Sequence, residues 1–199
     1  FSAIYMPEAD SKKRVSIPIE TIRLIQQSCM EHDDDMRWLV ALISDTGMRL
    51  AEAAGLHMND LKLNDDIPYV DIKPHPWRSL KTKGSQRRVP LVGASLWAAQ
   101  RIKANASSCF AFSRYADHTR CNANSASNAL NKWLQANFRN DIVIHGFRHA
   151  MRDRLGAISC PSEMIDQIGG WSSGKIGEAY GDGYSVLQTT QWMTRLNLK

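Results

Sequence analysis

The apolar pattern of this chain is helical almost throughout, and one block, Tyr69 to Leu91, departs from it. There the runs Tyr69-Val-Asp-Ile72 and Arg88-Val-Pro-Leu91 are short and strand-like, and Gly84-Ser85 between them marks a turn. Such a block makes a small antiparallel sheet of two or three strands, and Pro90 either puts the last strand at an edge or ends it. Around the block, apolar residues recur at helical spacing. Ile22, Leu24 and Ile25 follow Pro18, and Trp38 to Ile43 follow Asp33-Asp34-Asp35, acids suited to the positive end of a helix. Arg49 to Leu56 follows the break at Thr46-Gly47 and closes near Gly55. Further helices are expected over Leu96 to Lys103, Ser125 to Phe138, Gly146 to Leu155, Ser162 to Ile168 and Val186 to Leu196. The expected fold class is mainly α with a small antiparallel β-sheet (α+β), over residues 17–199, with residues 1–16 as a linker.

The chain has 199 residues, 43% of them hydrophobic, which suffices for one domain with its own core. No run approaches 18 apolar residues, so no membrane association is expected, and Phe1 to Arg14 lacks the apolar centre of a signal peptide. The absence of an initiator Met reads as a piece of a longer protein. Cys29, Cys109, Cys121 and Cys160 form no CxxC pair and no zinc spacing, which points to reduced thiols, a cytoplasmic setting and no metal. A net charge of +5 is compatible with a polyanionic partner, but the placement of the charges says more.

Five short features carry chemistry, and each alone has a plain structural explanation. Arg49, opening a helix after Gly47, is spaced to pair with Glu52. Lys81-Thr-Lys-Gly-Ser-Gln-Arg-Arg88 is either a solvated hairpin or a mobile lysine at a tip that reaches a DNA groove or a leaving group. His145 and Arg148 lie three apart on one helical face, with His149 and Arg152 beside them, able to converge on a small anion. Trp171, after Gly169-Gly170, is a core plug or an indole donor. Tyr180, between Ala179 and Gly181, is a packing residue or a nucleophile.

One chemistry accounts for all five, namely phosphoryl transfer at a DNA phosphodiester. Paired arginines clamp non-bridging oxygens bidentately and stabilise the charge that grows in the transition state. A phenol with a pKa near 10 attacks once the phosphate is activated, and the leaving oxygen takes a proton from a lysine or histidine.

The order of these segments resembles the catalytic domain of the tyrosine recombinase (phage integrase) family, from about Ile17 to the C-terminus. TGMRLAEAAGL resembles the family's first arginine motif, which implies Arg49 as a phosphate clamp and Glu52 as its support. HGFRH resembles the His-x-x-Arg box, implying His145 in proton transfer and Arg148 as the second clamp, with His149 as a supporting residue. KTKGSQRRVPL resembles the lysine hairpin, with Lys83 preferred to Lys81 as general acid. Where the family carries histidine, often in Leu-Gly-His, or tryptophan, this chain has Gly170-Trp171, and the family's nucleophile nine residues on falls at Tyr180 rather than Tyr184.

The resemblance implies a site-specific recombinase that forms a 3′-phosphotyrosyl intermediate without a cofactor. Its implied partners are double-stranded DNA, further copies of itself in a tetramer on paired sites, and accessory DNA-bending or directionality proteins. The implied setting is the cytoplasm, in association with the nucleoid. A DNA-binding domain absent from this chain is expected to precede the linker, and the free fragment is expected to be monomeric. Lys81, Arg87, Arg88, Lys132, Arg152 and Lys175 are expected to touch DNA. The last helix, through Val186, Leu187, Trp192 and Leu196, docks either on a neighbouring subunit or on its own domain. Two rival readings remain: a type IB topoisomerase-like enzyme, and a non-catalytic DNA-binding relative on the same fold.

Overall fold

The structure is a computed structural model, which describes residues 16–171 and 183–196, except for the side chain of Lys83. Eight α-helices and three strands follow one another in it: α1 (Ile19–His32), α2 (Asp35–Thr46), α3 (Leu50–Ala54), β1 (Leu61–Lys62), β2 (Tyr69–Ile72), β3 (Arg87–Pro90), α4 (Gly93–Ala104), α5 (Ala123–Asn137), α6 (Gly146–Ala157), α7 (Ser162–Gly169) and α8 (Val186–Met193).

Helix α2 is the axis of the domain. Its residues from Leu39 to Thr46 are all buried, and it packs against α1, α4 and α6. The three acids ahead of it divide their tasks. Asp34 is the N-cap and accepts from the Arg37 amide, Asp35 sits in the positive first turn, and Asp33 takes the left-handed conformation that ends α1. The Asp33 carboxylate also receives Trp38 Nε1 at 2.7 Å and Arg101 Nε at 2.8 Å, which fastens the start of α2 to α4.

Polar groups inside α2 are paired across the bundle. Arg154 of α6 binds Asp45 at 3.0 Å and the Ser44 carbonyl at 3.1 Å, while Asp45 also accepts from the Ala94 amide at the start of α4. The same guanidinium bonds the Leu196 carbonyl at 3.1 Å, so the C-terminal turn is tied to the domain centre.

The strands form one antiparallel sheet in the order β1-β2-β3, with Val70 opposite Val89 and Asp71 opposite Arg88. β3 is an edge strand and ends at Pro90, where a missing amide costs the ladder least. Side chains alternate between its faces: Arg87 and Val89 point into the domain, and Arg88 points out, over the Tyr69 ring.

Helix α8 packs on β3 of its own domain. The buried positions are Thr189, Met193 and Leu196, whereas Leu187 is 57% exposed and Val186 and Trp192 are half-buried. Of the expected apolar face, Leu196 is thus buried and Trp192 packs partly on the core, while Leu187 faces out. Thr189 can be buried because its hydroxyl is satisfied by the carbonyls of Ser185 and Val186.

Candidate active site

Three segments far apart in sequence meet between the N-terminus of α3, the β3 edge and the C-terminal end of α7. Arg49 is the N-cap of α3, and its amide and guanidinium both engage Glu52, at 2.9 Å and 2.7 Å. The expected i,i+3 ion pair therefore exists and does not exhaust the arginine. Nη1 also reaches Ser85 Oγ at 3.2 Å, and Nη2 donates to the Gly170 carbonyl at 2.8 Å. The side chain keeps 22% of its surface open.

Glu52 is buried and held by a second arginine. Arg87 Nη2 meets its Oε2 at 2.9 Å and Nη1 its Oε1 at 3.3 Å. Arg87 also donates from Nε to the Ile168 carbonyl at 2.8 Å and from Nη1 to the Ser85 carbonyl at 2.6 Å. This corrects one sequence expectation: with 7% of its surface exposed and its donors directed inward, Arg87 is not placed to touch DNA. It links α3, the lysine hairpin and α7. Strand alternation was the available signal, because Arg87 lies two residues before the apolar Val89 and so shares its face.

Burial alone would raise the Glu52 carboxyl, but the charge and hydrogen bonds of Arg87, with those of Arg49, hold it below the ordinary carboxylate range. A depressed folded-state pKa contributes stability above the unfolded value and loses it as pH falls through the folded one. Thermal stability should accordingly drop as pH is lowered below about 4. Melting curves of Glu52→Gln should start lower and show a flatter acid limb; an identical limb would remove Glu52 as its source.

A fourth segment, the start of α6, joins them. His145 is exposed at the N-cap, with its ring 4.9 Å from that of His149 in an edge-to-face arrangement. His149 is half-buried, and its Nε2 is enclosed with no hydrogen-bond partner among the described residues. Arg148 is only 3% exposed and donates from Nη1 to the Gly47 carbonyl at 2.9 Å, two residues before Arg49. Its Nη2 has no partner among the described residues. The Trp171 ring lies 4.3 Å from its Cζ, and Trp171 is itself set by an amide bond to the Asp166 carbonyl at 2.9 Å.

Desolvation, with the nearby charges of Arg49 and Arg87, pushes the Arg148 guanidinium down to about 9. Three guanidiniums and one carboxylate thus leave a buried excess of positive charge. An anion relieves that imbalance, and a phosphate has the oxygens to meet Arg148 Nη2 and the open face of Arg49.

Lys83 begins a 3-10 turn, Lys83–Ser85, directly before β3, and Lys81 is exposed just ahead of it. Arg88 and Lys132 are exposed, and Arg152 is exposed with an ion pair to Asp166 at 3.3 Å. Tyr180 and Lys175 lie outside the described residues. Tyr184 is half-buried against the core, and its amide and carbonyl both bond the Gln167 side chain, at 2.7 Å and 2.6 Å.

Sequence reasoning missed Ser85, Gly47 and Gly170 as parts of this arrangement. Ser85 is fully buried, and the other two act through carbonyls. Gly170 is a forced choice, because it has φ +62° and a Cβ there would stand 2.6 Å from Arg87 Nη1.

The sequence matches the phage integrase family over residues 19–184, which is most of the chain. The chain belongs to that family. It is a site-specific DNA recombinase of the tyrosine type, a DNA strand-transferase. Among solved structures, the fold is similar to the Tn1549 transposon integrase in complex with circular intermediate DNA, at 17% identity and a TM-score of 0.63, over 94% of this chain and 68% of that one. It is also similar to XerA recombinase, at 17% identity and a TM-score of 0.58, over 95% of this chain and 62% of that one. No curated protein matches the sequence. Among the described residues, no helix is long and apolar enough to cross a membrane.

Proposed function

We propose that this domain cleaves double-stranded DNA with Tyr180 as nucleophile, while Arg49 and Arg148 clamp the scissile phosphate. The observation that carries the reading is the buried excess of positive charge around Arg148, with Nη2 still without a partner. Arg49 and Arg148 are each anchored by one donor to a backbone carbonyl, so little reorganisation is left when charge develops on the phosphate. Tyr180 Oη gives its proton to His145 as it attacks phosphorus, and the 5′ oxygen leaves with a proton from Lys83, giving a 3′-phosphotyrosyl bond; religation reverses the step. Trp171 cannot exchange a proton at neutral pH, so its part is to shape the clamp. The pinned backbone and packed ring of Tyr184 favour Tyr180 as the nucleophile.

Residues 1–16 then serve as a linker to a separate DNA-binding domain, and protomers act as a tetramer on paired sites in the nucleoid. Similar structures support DNA as partner, since the Tn1549 integrase was solved with circular intermediate and with transposon right end DNA. Exposed Lys81, Arg88, Lys132 and Arg152 are the phosphate contacts of this reading. DNA binding by residues 1–199 should therefore be weak and fall steeply with salt, each lost phosphate contact lowering the log–log slope by about 1. A flat salt titration would contradict it.

The reading is tested by incubating the full-length protein with nicked suicide DNA carrying its verified site, without metal or ATP. A protease-sensitive, SDS-resistant adduct on the 3′ end supports it. No adduct would favour a non-catalytic DNA-binding relative. Plasmid relaxation without strand exchange would favour the topoisomerase-like alternative.

A further inference from the structure

We propose that Gly169 is a positioning residue for DNA cleavage: it leaves open the space into which the Trp171 indole folds to lie against the Arg148 guanidinium. This rests on the reading of Arg148 as a phosphate clamp. Gly169 is the last residue of α7, where helix propensity alone prefers alanine. A Cβ built on it would fall on the six-membered ring of Trp171, at Cζ3, Cε3 and Cη2, far inside van der Waals contact. The backbone of Trp171 is fixed and its half-buried ring is flanked by two guanidiniums, so a methyl at 169 can be admitted only if the indole leaves this place. The Trp171 amide is bonded to Asp166, Gly170 before it is locked between Arg49 and Arg87, and Arg148 and Arg152 lie 4.3 Å and 5.2 Å from the ring centre.

The seated indole has a specific consequence for Arg148. One of its nitrogens is tied to the Gly47 carbonyl, and the ring beside it restricts rotation of the planar group, so Nη2 is left aimed in one direction. Gly169 and Trp171 are therefore a matched pair. A side chain at 169 requires a smaller group at 171, and the large indole at 171 requires glycine at 169.

The test uses the full-length protein and four forms: wild type, Gly169→Ala, Trp171→His, and the two combined. Gly169→Ala should lower single-turnover cleavage of suicide DNA roughly tenfold or more at saturating DNA, with DNA affinity and melting temperature close to wild type. In the combined variant, cleavage should return to that of Trp171→His alone, because the imidazole leaves room for the methyl. Independently of activity, the Arg148 Nε–H resonance should be shifted by the indole ring current in wild type and lose that shift in Gly169→Ala. Wild-type cleavage by Gly169→Ala, additive losses in the combined variant, or an unshifted Arg148 resonance would each overturn the proposal. If wild type itself makes no adduct, the cleavage reading fails, while the resonance still decides whether Gly169 seats Trp171.

Discussion

Arg87→Ala is expected to lower stability by about 3–5 kcal/mol, because it leaves the buried Glu52 carboxylate without its main cation. At this chain length that is a fall in melting temperature of roughly 6–20 °C. The loss has several parts, all of them visible in the site. The Ile168 and Ser85 carbonyls lose donors, the hairpin is released from α3, and Glu52 is left to Arg49 alone. Cleavage should fall with stability, since Arg49 would be drawn toward the unbalanced carboxylate. Arg87→Lys should recover little, because an ammonium cannot reproduce a fork that spans two carboxylate oxygens and two carbonyls. Thermal melts combined with a salt titration of DNA binding separate the alternatives. A phosphate-contacting Arg87 would instead leave the melting temperature unchanged and lower the salt slope by about 1.

Arg148→Met should do the opposite to stability. The variant keeps an apolar stem in the same space and removes a buried charge that has no carboxylate of its own, so the melting temperature should stay near wild type or rise. Single-turnover cleavage should drop by about 10²–10³, the usual cost of removing one preorganised donor to developing charge. The contrast between two buried arginines in one site is the informative result. Arg87 is fully paired and stabilises the fold, whereas Arg148 is underpaired and is held ready for an anion. A collapse in stability for Arg148→Met would show that it, too, is structural.

The sequence made the helices and the sheet legible because their local signals agree with the final packing. Asp34 precedes an apolar run and caps α2; Gly84-Ser85 separates two strand-like runs, and these runs pair. The proximity of His145 and Arg148 was legible because they stand three apart in one contiguous motif, His145 as the N-cap of α6 and Arg148 in its first turn. What was not legible depends on contacts between distant segments. Nothing local announces that Arg49 will donate to Gly170, 121 residues away, or Arg87 to Ile168, 81 residues away. Arg87 misled because a basic hairpin invites one reading for all its cations, although strand alternation sends Arg87 and Arg88 to opposite faces. α8 was legible in Leu196 and Trp192, which meet the core, but not in Thr189, which composition alone would leave in water.

The most direct measurement is to digest the covalent DNA adduct and sequence the peptide that carries the nucleotide, with Tyr180→Phe and Tyr184→Phe run in parallel. The modified peptide should contain Tyr180, and the adduct should be lost in Tyr180→Phe and retained in Tyr184→Phe. A label on Tyr184, or an undiminished adduct from Tyr180→Phe, would contradict the assignment of the nucleophile and with it the reading of Tyr184 as the anchored end of that segment.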